Sequence, residues 1–276
     1  MLPRAGVWLV WAVSGLGVTL GVLAFVYGAL NHDSLSAVLT SVALQALWAI
    51  SFPLVGAVIA THRPRNPLGW IFLIIGLSEG LIIFGAEYAS YVFRTTPDAG
   101  PGGELAAWVA QVAWPPALGL ALCFVPLLFP DGRLPSRRWR PVAWLAAILI
   151  VVITVPTAVA LWPWRGPALL DPDTASQHTS ALNIVLFPAY ILLLGCGLAC
   201  LGALLLRFRR ARGIERQQLK WLLFASAITI TILLVVQPST TSQWDLGMLL
   251  ALPFFPAIPV AAGIAILRYR LYEIDR

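Results

Sequence analysis

Residues 69–93 read GWIFLIIGLSEGLIIFGAEYASYVF. No Lys or Arg interrupts them, and the only carboxylates are Glu79 and Glu87. A helix rises about 1.5 Å per residue, so roughly 20 predominantly apolar residues cross the hydrocarbon core of a bilayer. These 25 residues satisfy that length with a margin, and the stretch reads as a membrane-spanning helix. Seven further apolar runs have the same character: Val7–Leu30 and Ala37–Ala60 before it, and Leu105–Phe129, Pro141–Pro163, Ile184–Leu206, Trp221–Val236 and Leu246–Leu267 after it. The expected fold is therefore all-α, a polytopic membrane bundle of eight transmembrane helices. The first run is expected to remain in the mature chain, because it is far longer than the roughly 7–15 residues of a signal-peptide core.

Composition agrees. The chain has 276 residues, 59% hydrophobic and 11% charged, against about 25% charged in an ordinary soluble domain. The net charge of +6 reads as topology rather than nucleic-acid binding, because of where the charge lies. With the N-terminus inside, the inner segments hold Arg4; Arg63 and Arg65; Arg133, Arg137, Arg138 and Arg140; Arg207, Arg209, Arg210, Arg212, Arg216 and Lys220; and Arg268, Arg270 and Arg276. Only Arg94 and Arg165 fall outside. The positive-inside rule then puts both termini in the cytoplasm and the protein in the cell membrane. Trp8, Trp70, Trp139, Trp144 and Trp221 cluster near the inner boundary, and Trp162, Trp164 and Trp244 near the outer one, as interfacial belts do.

Four inner segments carry a pattern. They read HRPRNPLGW at 62–70, FPDGRLPSRRWRP at 129–141, RRARGIERQQLKW at 209–221 and LRYRLYEIDR at 267–276. Pro130-Asp131-Gly132 is a tight-turn signal. In this order and on one face, the four resemble the N-terminal membrane sensor region of bacterial sensor histidine kinases of the actinobacterial and Chloroflexi type, to which the competence pheromone-sensing kinase of bacilli is related. The resemblance implies a membrane sensor domain over residues 1–267 and the start of a cytoplasmic signalling helix over 268–276. In that family the tail leads on to a dimerising phosphoacceptor domain and an ATPase domain. This chain stops at Arg276, and neither its three histidines nor any glycine-rich signature supplies a kinase core. It is therefore not expected to be an enzyme by itself.

Nothing else in the sequence suggests catalysis. There is no H-E-x-x-H or C-x-x-C. Cys196 and Cys200 share a helix face, and with Gly195, Gly197 and Gly202 they read as a close-packing surface rather than a metal site. Gly17-x-x-x-Gly21 reads likewise as a packing or dimer face. No cofactor is expected.

The membrane carboxylates are more informative. Ionisable groups at such depth usually face the bundle interior or a wet cavity. Glu79 and Glu87 are eight residues apart, which turns them about 80° from each other at 100° per residue. Gln45 and Gln111 are the nearest hydrogen-bonding candidates by depth, and Tyr88, Tyr91, Trp108, Trp114 and Tyr190 lie at comparable levels. Together these nine residues describe a candidate ligand pocket opening outward. The alternative readings are a purely structural Glu79 and a Glu87 that reaches towards Arg94. Pro253, Pro256 and Pro259 break up the last run, a candidate signalling hinge, with a static kink as its alternative.

The function expected is a membrane-embedded signal-input module of a two-component histidine kinase. The alternative is a small-molecule transporter or channel-like protein. Expected partners are the lipid bilayer, a second copy in a homodimer, a cytoplasmic kinase domain in cis or trans, and a ligand from outside or within the membrane, with no nucleic acid.

Overall fold

A computed structural model describes residues 3–32, 44–95, 101–162 and 183–213 continuously, with isolated positions at 38, 42 and between 216 and 263. Every regular element among the described residues is helical: α1 (Arg4–Asn31), α2 (Leu44–His62), α3 (Pro67–Thr95), α4 (Pro101–Gly119), a π-helical turn (Leu120–Phe124), α5 (Val125–Leu128), α6 (Arg140–Ala160) and α7 (Asn183–Arg210). The π turn joins α4 to α5 in one span, Pro101–Leu128, so six helices are long and apolar enough to cross a membrane. The chain is a multi-pass helical membrane protein. The seventh and eighth runs of the sequence reading lie outside the described residues apart from single positions. Of these, Leu222 and Ala262 are buried in one cluster with Phe52, Phe72 and Val125. Six spans are thus described where eight were expected.

The surface of the bundle is what lipid requires. On α6, Trp144, Ile148, Val151, Val155 and Val159 are all more than half exposed. Their spacing of three and four residues makes one continuous apolar stripe. α1 and α7 carry similar exposed rows, including Leu9, Leu16 and Val22 on α1 and Phe187 and Ile191 on α7. A soluble monomer does not leave apolar surface contiguous on this scale.

Inside, small residues set the helix spacing. A Cβ on Gly69 would lie 2.6 Å from Ala60 N, and one on Gly56 would lie 2.7 Å from Leu73 N, so α2 and α3 meet backbone to backbone. Pro53 in α2 is a wedge between two glycines. Its ring faces Gly17 of α1, with Cγ 3.1 Å from the Cβ position, and Gly76 of α3, whose Cβ position lies 2.6 Å from Pro53 N. Gly21 meets Ala49 at 3.2 Å, so the Gly17/Gly21 face packs within this chain. The expected glycine–cysteine surface of α7 is only partly used. Cys196 and Cys200 are buried and Gly197 lies against Leu122, whereas no described residue stands within 4 Å of a Cβ on Gly195 or Gly202.

Proline also explains the π turn. Pro126 has no N–H and its ring would strike the carbonyl four residues back. The preceding turn widens, and Val125 N–H donates to Leu120 O, five residues back. The N-terminal half of the span packs on α3, where a Cβ on Gly85 would sit 2.5 Å from Ala106 O. The π turn packs on α7, where Cys123 Sγ lies 3.8 Å from Leu193 O.

Candidate functional site

α1 and α3 run in the same direction, and their C-terminal ends lie together. Arg94, in the last turn of α3, donates to Asn31 O at the end of α1. A cation there balances the exposed carbonyls and partial negative charge of a helix C-terminus. Asn31 Nδ2 donates to both Glu87 O and Glu87 Oε2, each at 2.8 Å. His32 Nε2 stands 3.9 Å from Glu87 Oε1. No ion pair joins Glu87 to Arg94 among the described residues; the carboxylate turns to α1 instead. Four rings close the site on its membrane side. Tyr27 meets Tyr88 at 5.2 Å, Tyr91 at 5.3 Å and Phe84 at 6.0 Å, and Phe84 stacks on Tyr88 at 5.4 Å. Among the described residues, Asn31 Oδ1 is buried with no hydrogen-bond partner. The cluster thus holds a buried neutral acceptor beside a carboxylate that is 17% exposed.

Glu87→Ala should cost about 1 kcal/mol of stability, since Asn31 loses one acceptor and keeps the other. Glu87→Gln retains an amide oxygen for Asn31 and should stay close to wild type. Thermal unfolding of the detergent-purified protein checks both, and equal losses would contradict this account of the contact.

The nine candidate residues occupy different places. Glu87, Tyr88 and Tyr91 are together in this cluster. Glu79 shares a stripe with buried Phe72 and Ile75 and is half-buried, so it points into the bundle. Among the described residues it has no hydrogen-bond partner, and neither Gln45 nor Gln111 reaches it; both are partly buried. Trp108 ties the fourth span to α6, its Nε1 donating to Ala158 O at 3.0 Å and its ring meeting Trp162 at 5.1 Å. Trp114 and Tyr190 face each other across the fourth span and α7 at 5.8 Å. Of the hinge prolines, Pro259 is helical and buried, and Pro253 and Pro256 lie outside the described residues. The sequence reading did not include Tyr27, Asn31, His32 and Phe84. A usable signal exists: Tyr27 and Asn31 are one turn apart at the end of the first run, at the depth where the third run carries Glu87.

A second polar junction lies at the opposite end, where the 62–70 and 129–141 motifs meet beside the end of α7. Asn66 caps α3, its Oδ1 accepting from Leu68 N at 3.1 Å, with Pro67 at the first helical position. Its Nδ2 donates to Pro130 O at 3.1 Å. Gly132 adopts φ +73°, and a Cβ there would also lie 2.5 Å from Asn66 Oδ1. The expected tight turn is present over 129–132. Arg207 of α7 donates from NH1 to Phe129 O and from NH2 to Arg133 O. Arg216 lies 5.2 Å from the centre of the Phe208 ring. The 62–70 and 129–141 motifs and the end of α7 are therefore parts of one joint. Comparison with known families, with characterised proteins and with solved structures finds no match for this chain.

Proposed function

We propose that this chain is the membrane-embedded signal-input module of a two-component histidine kinase, with eight spans and both termini in the cytoplasm of a bacterial cell. The Asn31–His32–Glu87 cluster at the outer end receives the stimulus. The last span, with Pro253, Pro256 and Pro259, relays it to a kinase core in cis or trans within a homodimer. The observation that carries the ligand site is the buried Asn31 Oδ1, unpartnered among the described residues, beside a partly exposed carboxylate flanked by four aromatic rings. Buried acceptors in native proteins are nearly always satisfied, so a ligand presenting N–H or O–H donors completes the site. The kinase assignment rests on the four inner motifs, of which the 62–70 and 129–141 segments are joined by Asn66 and Pro130.

Two experiments test this reading. Single cysteines at Ser34, Ala99, Ser176 and Ser242, on a background lacking Cys123, Cys196 and Cys200, should react with an impermeant thiol reagent in intact cells. These four positions lie outside the described residues. A cysteine at Ser136 should stay unlabelled, and its labelling would invert the topology. For the relay, a dimeric histidine-kinase core fused after Arg276 is read with one to four alanines inserted at the junction. Each insertion rotates the core by about 100°. Autophosphorylation should oscillate with insert length, whereas a flat profile would reduce the tail to a tether and remove the sensor reading. A transporter, the competing assignment, draws on the half-buried Glu79 and would give that flat profile.

A further inference from the structure

A cavity of about 670 Å³ lies at the inner end of the bundle, between the 130–136 turn and the last turns of α7. Arg133, Arg138, Arg207 and Arg210 all line it, with Asp131 as the one carboxylate. Arg207 is engaged in holding the turn through the carbonyls of Phe129 and Arg133. Arg133, Arg138 and Arg210 are exposed, and none forms an ion pair among the described residues. Like charges gathered on one cavity repel unless an anion lies between them. A guanidinium matches phosphate in shape as well as charge, through paired N–H donors in one plane.

The rest of the lining places this cavity at the membrane surface. Trp139 and Leu206 form part of its wall, and Leu206 is 48% exposed. Trp144, further along α6, is 70% exposed on the lipid-facing stripe. An amphiphile whose phosphate meets the arginines would lay its chains along this apolar edge. Basic pockets between membrane helices recognise anionic headgroups through this combination of charge and depth.

We propose that the cavity is a phosphate-binding site at the membrane surface, filled by the headgroup of an anionic phospholipid or by a soluble phosphate. Occupancy would tie the 130–136 turn to α7 through the ligand as well as through Arg207. The site is at the far end from the Asn31–Glu87 cluster and is independent of any role in sensing.

Delipidated wild-type protein is titrated with short-chain phosphatidylglycerol, with phosphatidylcholine of equal chain length, and with inorganic phosphate, and bound ligand is read by native mass spectrometry. Phosphatidylglycerol should bind about tenfold or more tightly than phosphatidylcholine. R133Q/R138Q/R210Q should lose at least about tenfold of that affinity, at roughly 1 kcal/mol per arginine. R137Q/R140Q/R209Q removes equal charge from the same segments but from residues that do not line the cavity, and should change affinity by less than about twofold. Displacement of the lipid by inorganic phosphate would assign the site to soluble phosphate, and failure to displace it would assign the headgroup. Equal binding of the two lipids by wild type together with no binding of inorganic phosphate, or equal losses in the two triple variants, would overturn the proposal. The wild-type titrations stand alone if the cavity variant does not fold.

Discussion

Gly76→Leu is expected to unseat α2 from α3 and to cost about 3 kcal/mol or more. The position has no room for even a Cβ, which would lie 2.6 Å from Pro53 N. Pro53 cannot retreat, because its ring is braced on the other side by Gly17 of α1. Nor can it rotate away as a flexible side chain would, since the obstructing atoms are backbone and ring. The added bulk must therefore separate whole helices, and the backbone contacts at Gly56 and Gly69 would open with it. Gly195→Leu is the control: no described residue stands within 4 Å of a Cβ there, and the residue is exposed. It should fold like wild type, or slightly better, since leucine favours helix over glycine by most of a kcal/mol. Unfolding in mixed detergent measures both. Comparable losses would mean that glycine content matters, not the wedge at Pro53.

Arg207→Met is expected to cost about 2 kcal/mol and to free the 129–136 turn from α7. The guanidinium serves two backbone carbonyls, those of Phe129 and Arg133, and methionine keeps the stem while removing every donor. Charged hydrogen bonds contribute roughly 1.5–3 kcal/mol each, and the more exposed of these two counts for less. Arg207→Lys should recover part of the loss, since an ammonium can reach one carbonyl but does not present two coplanar donors. Hydrogen exchange of residues 129–136 is the direct readout. Faster exchange in Arg207→Met than in Arg209→Met supports the clamp, and identical exchange in the two contradicts it.

Much of the bundle was legible because lipid imposes a simple length rule. Five of the six described spans begin and end within about four residues of their apolar runs; the first residues of the 37–60 run lie outside the described ones, and α2 is described from Leu44. The site was legible only in part. Glu87, Tyr88 and Tyr91 stand out as polar residues in an apolar run. Asn31 does not, because its meaning depends on a partner 56 residues away. Charge counting had the same limit at the arginine-rich end. It sorted Arg207 with its neighbours as a topological marker, yet Arg207 bonds the turn while Arg209 is simply exposed. Glycine patterns told which faces were small, as at Gly17 and Gly21, but not which small faces were covered, as Gly195 and Gly202 show.

The π turn has a consequence for how the two sides of the bundle are joined. An ordinary helix keeps one azimuth along its length, but one extra residue in a turn advances everything beyond it by about 100°. The fourth span is thus out of phase with itself. Ahead of Leu120 it meets α3 at Gly85 and α6 at Ala158 and Ile150, and beyond it Cys123 and Leu127 join the cluster with α7. It works like a crankshaft, with two offset throws on one axle. Any turning of α7 against α3 has to pass through Leu120–Phe124 and the arginine-held turn that follows them.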